Sequence, residues 1–180
     1  AVARKDPNYV SYGSPGAGTT PHLASEVLKI RENIKMTHIP YKGAGPAMTD
    51  LLGGQIQVLF GSLASVISQI QAGQVRALAQ TGEQKWPELL QVPTLAELGI
   101  KDAVSNTFQA VFAPAGTPPD IVSYLSKQCV TALKEPEVIE KLKQAGLATT
   151  ALDSAGLRAR VAKEVPYWKD VIDKGGIKGD

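Results

Sequence analysis

The chain has 180 residues, of which 43% are hydrophobic and 20% charged, a composition typical of a folded globular protein. Its net charge of +2 is too small, and its Lys and Arg residues are too scattered, to predict nucleic-acid binding. No apolar run approaches the ~20 residues that a membrane-spanning helix needs. The only cysteine, Cys129, excludes an intramolecular disulfide and is expected to be a small buried apolar residue within a helix.

The first feature in chain order is a glycine-rich junction between a predicted strand at 8–12 and a predicted helix at 21–30. Glycines at positions 13, 16 and 18 permit a positive φ, and Thr19 or Thr20 can cap the helix. The N–H groups of such a junction and the helix dipole favour an anion, most simply a carboxylate or phosphate. A tight turn that binds nothing is the alternative that this stretch alone leaves open.

Strands and helices alternate in the following residues. The predicted strands are 36–41, 55–60 and 75–80, and the predicted helices between them are 47–52 and 63–71. This alternation predicts an α/β fold with a mainly parallel sheet flanked by helices. Because ligands of such sheets lie beyond the carboxyl ends of the strands, the loops at 14–20, 41–45 and 61–62 are expected to meet in one crevice.

The remaining residues are predicted to be mostly helical. A short helix at 94–98 and a last strand at 108–113 precede the longer helices, which are predicted at 119–133, 135–144 and 157–174. Pro166 is expected to kink or divide the last of these helices.

Catalytic and metal-binding arrangements have little support in the sequence. Ser14 lies near His22, but the Gly-x-Ser-x-Gly motif is absent and no acid is placed to orient the imidazole. No cysteine or carboxylate stands at metal-ligand spacing from His22 and His38, which are interpreted as a helix-surface residue and a strand-embedded residue. Asp50 alone does not form a general acid/base pair. We therefore expect neither an enzyme nor a cofactor or metal.

Several motifs along the chain share one further pattern. The chain reads YKGAGPA at 41–47, DLLGGQ at 50–55, AGQVRALA at 72–79 and APAGTP at 113–118. Together these motifs resemble the Bug-type receptors, the periplasmic solute-binding proteins of tripartite tricarboxylate transporters. The resemblance covers nearly the whole chain.

The resemblance implies a fold of the type II periplasmic-binding-protein class. Members are two-domain receptors that close around small organic acids and grip a carboxylate through backbone amides and hydroxyls. Residues 8–107 would be the second domain, which lines the ligand cleft. Residues 108–180 would be a returning segment with C-terminal helices that belong to an incomplete first domain.

By the same resemblance, the ligand-binding residues lie in two loops and after the third strand. They are Ser14, Gly16, Ala17, Gly18, Thr19, Thr20, Tyr41, Lys42, Gly43 and Ser62. Two departures bear on the identity of the ligand. Gly61 stands where many members carry Asp, and Phe108 stands where a Trp is usual.

The implied function is that of a periplasmic receptor that delivers a small carboxylate-bearing metabolite to membrane transporter subunits. Nothing in the chain resembles the signal peptide or the first domain of the family, so we expect a C-terminal portion of a receptor. An enzyme of small organic-acid metabolism and a stand-alone interaction module that has lost transport are the alternatives. The apolar faces at 108–113 and beyond residue 119 are expected to drive self-association, or else to fold back onto the chain's own domain.

Overall fold

A computed structural model describes residues 2–6 and 9–177 of the chain. The chain divides into two compact units, one formed by Ala1–Thr107 with Asp170–Asp180 and the other by Phe108–Lys169. A parallel three-stranded sheet flanked by helices confirms the predicted α/β class. Within the described ranges, no helix has both the length and the hydrophobicity needed to cross a membrane.

The sheet has its first strand at the centre. β1 (Ser11–Ser14) lies between β2 (Thr37–Pro40) and β3 (Val58–Leu59), and both pairings are parallel. Tyr12 of β1 is in register with His38 of β2 and Val58 of β3. All three strands therefore end at the same edge of the sheet, where the predicted ligand loops begin.

The described residues form seven α-helices and one 3-10 helix. In chain order they are α1 (Val2–Lys5), α2 (Thr20–Glu32), α3 (Ala44–Leu52), α4 (Leu63–Gln71), α5 (Pro119–Ala132), α6 (Pro136–Gln144) and α7 (Ser154–Gly175), with a 3-10 helix at Pro87–Leu89. α7 is continuous through Pro166, so the helix is not divided there.

The two faces of β1 bury different kinds of side chain. Tyr12 is fully buried and forms an apolar cluster with Val10 and Met36. On the opposite face Gly13 packs so closely that an added Cβ would lie 2.6 Å from Cδ1 of Ile56 and 3.1 Å from the ring of Tyr41. Because side chains alternate across a strand, the large side chain of Tyr12 lies on one face of β1, and Gly13 leaves room for neighbouring side chains on the other.

α2 begins and ends with the expected local signals, although its cap differs from the prediction. Pro21 lies in the first turn, where its missing N–H costs no helical hydrogen bond. Thr19 is the N-cap residue, but its hydroxyl makes no capping bond and donates instead to the carbonyl of Gly16 at 2.8 Å. The helix ends at Asn33, which adopts a left-handed conformation with φ of 47°.

The prediction of a strand at 75–80 is wrong. Within the described ranges only Gln80 of this stretch pairs, through an isolated parallel bridge to Thr94. The amide of Val75 donates to the carbonyl of Gln69 at the end of α4. The start of the stretch therefore completes a helix end instead of joining the sheet. The predicted strand at 8–12 begins too early, since β1 starts at Ser11, and Asn8 lies outside the described residues.

The predicted helix at 94–98 is a single capped turn. Thr94 and Glu97 exchange the two bonds of a capping box, with distances of 2.8 and 3.1 Å. Gly99, at φ of 84°, ends the turn before a helix can continue. The predicted strand at 108–113 is also absent from the described structure, where Val111 and Phe112 remain exposed.

The second unit consists of α5, α6 and most of α7. None of its residues, 108–169, is buried, and all of them are described. The predicted burial of Cys129 is therefore only partial. The ring of Phe108 is covered by the guanidinium of Arg160, whose central carbon lies 4.4 Å from the ring centroid. Because burial of apolar area is the main stabilising term in folding, this unit gains little from a core of its own.

Candidate functional site

Two of the predicted ligand loops are joined by backbone hydrogen bonds. The amide of Tyr41 donates to the carbonyl of Ser14 at 3.1 Å, and the amide of Gly43 donates to the carbonyl of Pro15 at 3.0 Å. These bonds continue the β1–β2 pairing past the ends of the strands. Loop 14–20 and loop 41–43 therefore form one surface at the carboxyl edge of the sheet.

Ser62 lies at the same edge without a direct bond to those loops. The amide of Phe60 donates to the carbonyl of Gly13 at 3.1 Å, which extends the β1–β3 pairing in the same direction. Ser62 then caps α4, and its hydroxyl bonds to that of Ser65 at 3.2 Å. Its exposed side chain therefore lies at the same edge of the sheet as the loops but, in the described part of the chain, makes no hydrogen bond to them.

Loop 14–20 is shaped partly by its own side chains. The amide of Gly18 donates to Nδ1 of His22 at 3.0 Å, and the hydroxyl of Ser14 donates to the carbonyl of Gly16 at 3.0 Å. Gly18 has a φ of 71°, which a residue with a Cβ adopts only with strain. The amides of Ala17 and Thr20 have no hydrogen-bond partner among the described residues. These two N–H groups are the donors that the loop offers.

The predicted site residues differ in their accessibility. Ser14 is fully buried, whereas Gly18, Lys42 and Ser62 are exposed. The half-buried residues are Gly16, Ala17, Thr19, Thr20, Tyr41 and Gly43. Lys42 has no ion-pair partner in the part of the chain that the structure describes. Its ammonium is therefore available to an anion at this edge.

His22 is buried, so the prediction of a helix-surface histidine is wrong. Its side chain stacks on that of His38, with ring centroids 3.8 Å apart and planes inclined by 12°. Nε2 of His38 lies 2.7 Å from Oγ of Ser14. The two histidines therefore connect α2, β2 and the beginning of loop 14–20.

A buried carboxylate completes this cluster. Oε1 of Glu26 accepts hydrogen bonds from the phenol of Tyr12 and the ammonium of Lys29, both at 2.7 Å. Nε2 of His22 lies 3.7 Å from the same oxygen. The buried negative charge is thus balanced by the ammonium of Lys29 and the phenol hydrogen of Tyr12. Burial, followed by the proximity of Glu26, raises the pKa of Tyr12 far above its usual range.

Both histidines are held in the neutral form near neutral pH. Burial, together with a smaller effect of the neighbouring His22, lowers the pKa of His38 to about 4. Burial also lowers the pKa of His22, although the carboxylate of Glu26 partly opposes this. A neutral imidazole has one N–H donor and one acceptor nitrogen, so each ring can satisfy one partner on each side.

The pair of Ser14 and His38 does not have the arrangement of a nucleophile and its base. The hydroxyl of Ser14 is fully buried and already donates to the backbone, and Glu26 bonds to Tyr12 and Lys29 instead of orienting His38. No group of three or more potential metal ligands occurs among the described residues. The cluster therefore supports the shape of the loop and offers no route to acyl transfer.

Sequence reasoning missed this histidine cluster, but two signals for it exist. His22 lies four residues after Gly18, at the first turn of α2, where a side chain reaches back toward the loop. His38 is in register with Tyr12, so both side chains point to the same face of the sheet. Neither signal can be recognised before the strand register is known.

Comparison with known families matches residues 1–177 to the tripartite tricarboxylate transporter family receptor. The chain is 37% identical over 172 residues to the protein in the tcbD-tcbE intergenic region of a Pseudomonas species. The matched residues are 95% of this chain and 51% of that protein. It is 32% identical over 178 residues to Protein BugT of Bordetella pertussis, covering 99% and 55% respectively. The chain thus spans about half the length of these relatives.

Solved structures show the same similarity. R. palustris Rpa4515 with adipate superposes with a TM-score of 0.84 at 30% identity. The superposed region is 99% of this chain and 60% of the Rpa4515 chain. The periplasmic binding protein BugD superposes with a TM-score of 0.75 at 30% identity, with the same coverage. MatC from Rhodopseudomonas palustris with bound malate, at 23% identity and a TM-score of 0.74, shares the fold.

Proposed function

The chain belongs to the tripartite tricarboxylate transporter receptor family, and we propose that it forms the ligand-loop portion of a periplasmic receptor for a small carboxylate-bearing metabolite. This membership confirms the Bug-type family predicted from the motifs. It also agrees with the prediction that the chain is not an enzyme, since the family is one of receptors.

The joined loops at the carboxyl edge of the sheet are the observation that supports this function. They combine the free amides of Ala17 and Thr20, the start of α2 and the exposed ammonium of Lys42. A helix start favours an anion by ~0.3–1 kcal/mol at an exposed position. Hydrogen bonds to a charged partner add ~1.5–3 kcal/mol each. All these groups are donors or positive charges, which suits a carboxylate.

The proposed ligand is a short dicarboxylate, and the proposed partner is the membrane part of a tripartite tricarboxylate transporter. The R. palustris protein that is 30% identical to this chain was solved with adipate, which makes adipate the first ligand to test. The proposed location is the periplasm, because the similar structures include a periplasmic transporter and a periplasmic binding protein.

Titration calorimetry of the whole chain with adipate tests the proposed receptor function. We expect a carboxylate to bind and the uncharged adipamide to produce no heat. Lys42→Gln should weaken binding about tenfold, since it removes one charge-assisted contact. Lys35→Gln, which removes an equally exposed charge before β2, is the matched control and should leave the affinity unchanged. Equal binding of adipate and adipamide would contradict the function.

We also propose that residues 8–107 form the ligand-cleft domain and that residues 108–180 belong to an incomplete first domain. The unit boundary between Thr107 and Phe108 supports the start of the second segment, although Asp170–Asp180 group with the first unit. The lack of any buried residue at 108–169 supports the further proposal that this segment mediates self-association of the isolated chain.

A further inference from the structure

A stacked pair of histidines, His22 buried and His38 partly buried, contacts loop 14–20 at two points. His22 accepts a hydrogen bond from the amide of Gly18 through Nδ1, at 3.0 Å. His38 contacts Oγ of Ser14 through Nε2, at 2.7 Å. The rings lie 3.8 Å apart between centroids and are nearly parallel. The start and the middle of the loop are therefore both attached to one imidazole stack.

We propose that His22 and His38 are positioning residues, and that loop 14–20 keeps its ligand-binding shape only while the imidazole of His22 is neutral. This inference rests on the proposed role of the loop in carboxylate binding. It predicts that acidification releases the loop, and a bound ligand with it.

The contact between His22 and Gly18 is the part most directly sensitive to protons. Because Nδ1 accepts the amide hydrogen of Gly18, the neutral ring carries its proton on Nε2, which lies 3.7 Å from the carboxylate of Glu26. A second proton can be added only at Nδ1, where it would face the amide hydrogen of Gly18. Two donors cannot share this contact, so protonation of His22 breaks the bond to the loop.

His38 affects the loop indirectly, through its stacking contact with His22. The hydroxyl of Ser14 donates to the carbonyl of Gly16, so its oxygen accepts a hydrogen from Nε2 of neutral His38. Protonation of His38 preserves that bond but places a positive charge 3.8 Å from the ring of His22. Two charged rings this close repel strongly in a buried site, so charging one ring opposes charging of the other.

The charged groups around the pair act on it in opposite directions. On α2 the carboxylate of Glu26 favours protonation and the ammonium of Lys29, 2.7 Å from that carboxylate, opposes it. From β1 the pair faces the neutral phenol of Tyr12, and beyond β3 the apolar ring of Phe60 packs on Tyr12. The end of α7 approaches Glu26 through Gly175, which has no charge. Burial is therefore the main reason that the pKa of each ring is lowered and that both rings are neutral.

Hydrogen exchange followed by NMR tests the inference without any ligand. In the whole chain, we expect the protection factor of the Gly18 amide to fall about tenfold or more as the pH decreases from about 7 to about 4, because one hydrogen bond is lost. The midpoint should coincide with the imidazole titration of His22. The amide of Leu23, bonded to Thr19 at 2.9 Å, is the internal control and should stay protected. Unchanged protection of Gly18 through the titration would overturn the inference.

Two substitutions separate titration from hydrogen bonding. In His22→Asn, the side-chain oxygen can replace Nδ1 as the acceptor for Gly18, and in His38→Gln, the side-chain nitrogen can replace Nε2 as the donor to Ser14. Each variant keeps its loop contact but cannot be protonated at the substituted position. His22→Asn should therefore remove the pH dependence of Gly18 protection while preserving protection at neutral pH. His38→Gln should keep that pH dependence but move its midpoint to higher pH, because no charge on His38 opposes protonation of His22. Wild-type pH dependence in both variants would refute the role of the pair.

Adipate titrations of the same three proteins connect the loop to binding. The affinity of the wild type should decrease more steeply on acidification than that of His22→Asn, because protonation of adipate itself is common to all three proteins. Parallel curves for the wild type and His22→Asn would contradict the inference. If none of the proteins binds adipate, the proposed function fails for this ligand, whereas the exchange experiment still decides the role of the histidines.

Discussion

The phenol of Tyr41 donates a 2.7 Å hydrogen bond to Oδ2 of Asp50. This bond joins the first residue after β2 to the middle of α3. Burial and, to a smaller extent, this bond raise the pKa of Tyr41 above its usual value. Asp50 therefore anchors a predicted ligand loop. Its role is structural, although in the sequence it was only an isolated carboxylate.

Tyr41→Phe should destabilise the chain by about 1 kcal/mol, because it removes a hydrogen bond to a charged but partly accessible partner. Urea denaturation measures the change. Asp50→Asn in the Tyr41→Phe background should cost little more, since the two residues share one interaction. Tyr124→Phe, at a tyrosine that is 61% exposed, is the control and should be neutral. Fully additive losses at Tyr41 and Asp50 would show that the bond contributes nothing.

Gly13→Ala should destabilise the first unit by ~1–3 kcal/mol, as overpacking of a filled site does. The new Cβ would lie 2.6 Å from Cδ1 of Ile56, which is itself only 2% exposed and has little room to move. The denaturation midpoint should fall without a change in the slope.

Gly45→Ala is the matched control for Gly13→Ala. Gly45 lies in α3, and an added Cβ there would meet no atom within 4 Å. Replacing a helical glycine should stabilise the chain by ~0.5–1 kcal/mol. The same effect from both substitutions would contradict the packing described around Gly13.

The free energy of unfolding should fall as the pH decreases through the range from about 6.5 to about 4. The unfolded chain binds a proton on His38 at a pKa of 6.5, whereas burial lowers the pKa in the folded chain to about 4. Acid therefore favours the unfolded state, and the full stability is present above the unfolded pKa. Because His38 is only partly buried, we expect a loss on the order of 2 kcal/mol.

Urea denaturation at a series of pH values measures this loss. His38→Gln removes the titration, so its stability should vary less than that of the wild type over the same range. Carboxylates titrate in both proteins and cancel in the comparison. Identical pH profiles would show that His38 does not couple to folding.

The isolated chain should self-associate through its second unit. Phe112 is 72% exposed, in a unit that has no buried residue, and leaving apolar area in water forfeits ~25 cal/mol per Å². Sedimentation velocity should show species larger than one chain. Phe112→Asp should shift them toward single chains, and Leu98→Asp, at an exposed leucine of the first unit, should not. A single-chain species at every concentration would exclude this behaviour.

The local signals of the first 71 residues predicted three strands and α2 to α4, whereas α1 was not predicted and β1 was placed too early. Leu63–Gln71 was predicted with its observed bounds, since Ser62 precedes it and Gly73 follows it. The predictions fail where a strand depends on a partner. Residues 75–80 and 108–113 have apolar patterns typical of strands, but strands exist only through pairing, and pairing partners are not encoded in local periodicity.

The site could be predicted only to the level of its loops. Glycines and helix starts locate loop 14–20 and loop 41–43, and backbone bonds between these loops agree with the expected crevice. The histidine stack could not be predicted, because His22 and His38 meet through the register of β1 and β2 and through the packing of α2 on the sheet. The burial of His22 overturns its interpretation as a helix-surface residue, whereas His38 lies within a strand as predicted.

The central position of β1 also constrains the order in which the sheet can assemble during synthesis. β1 precedes in sequence both of the strands that flank it, so β1, α2 and β2 are available together before α3 and β3 have left the ribosome. Until β3 follows, one side of β1 is an unpaired edge, the kind of surface on which strands of other chains assemble. During synthesis β1 therefore has one edge that can pair with a strand of another chain, although both of its edges are paired in the folded sheet.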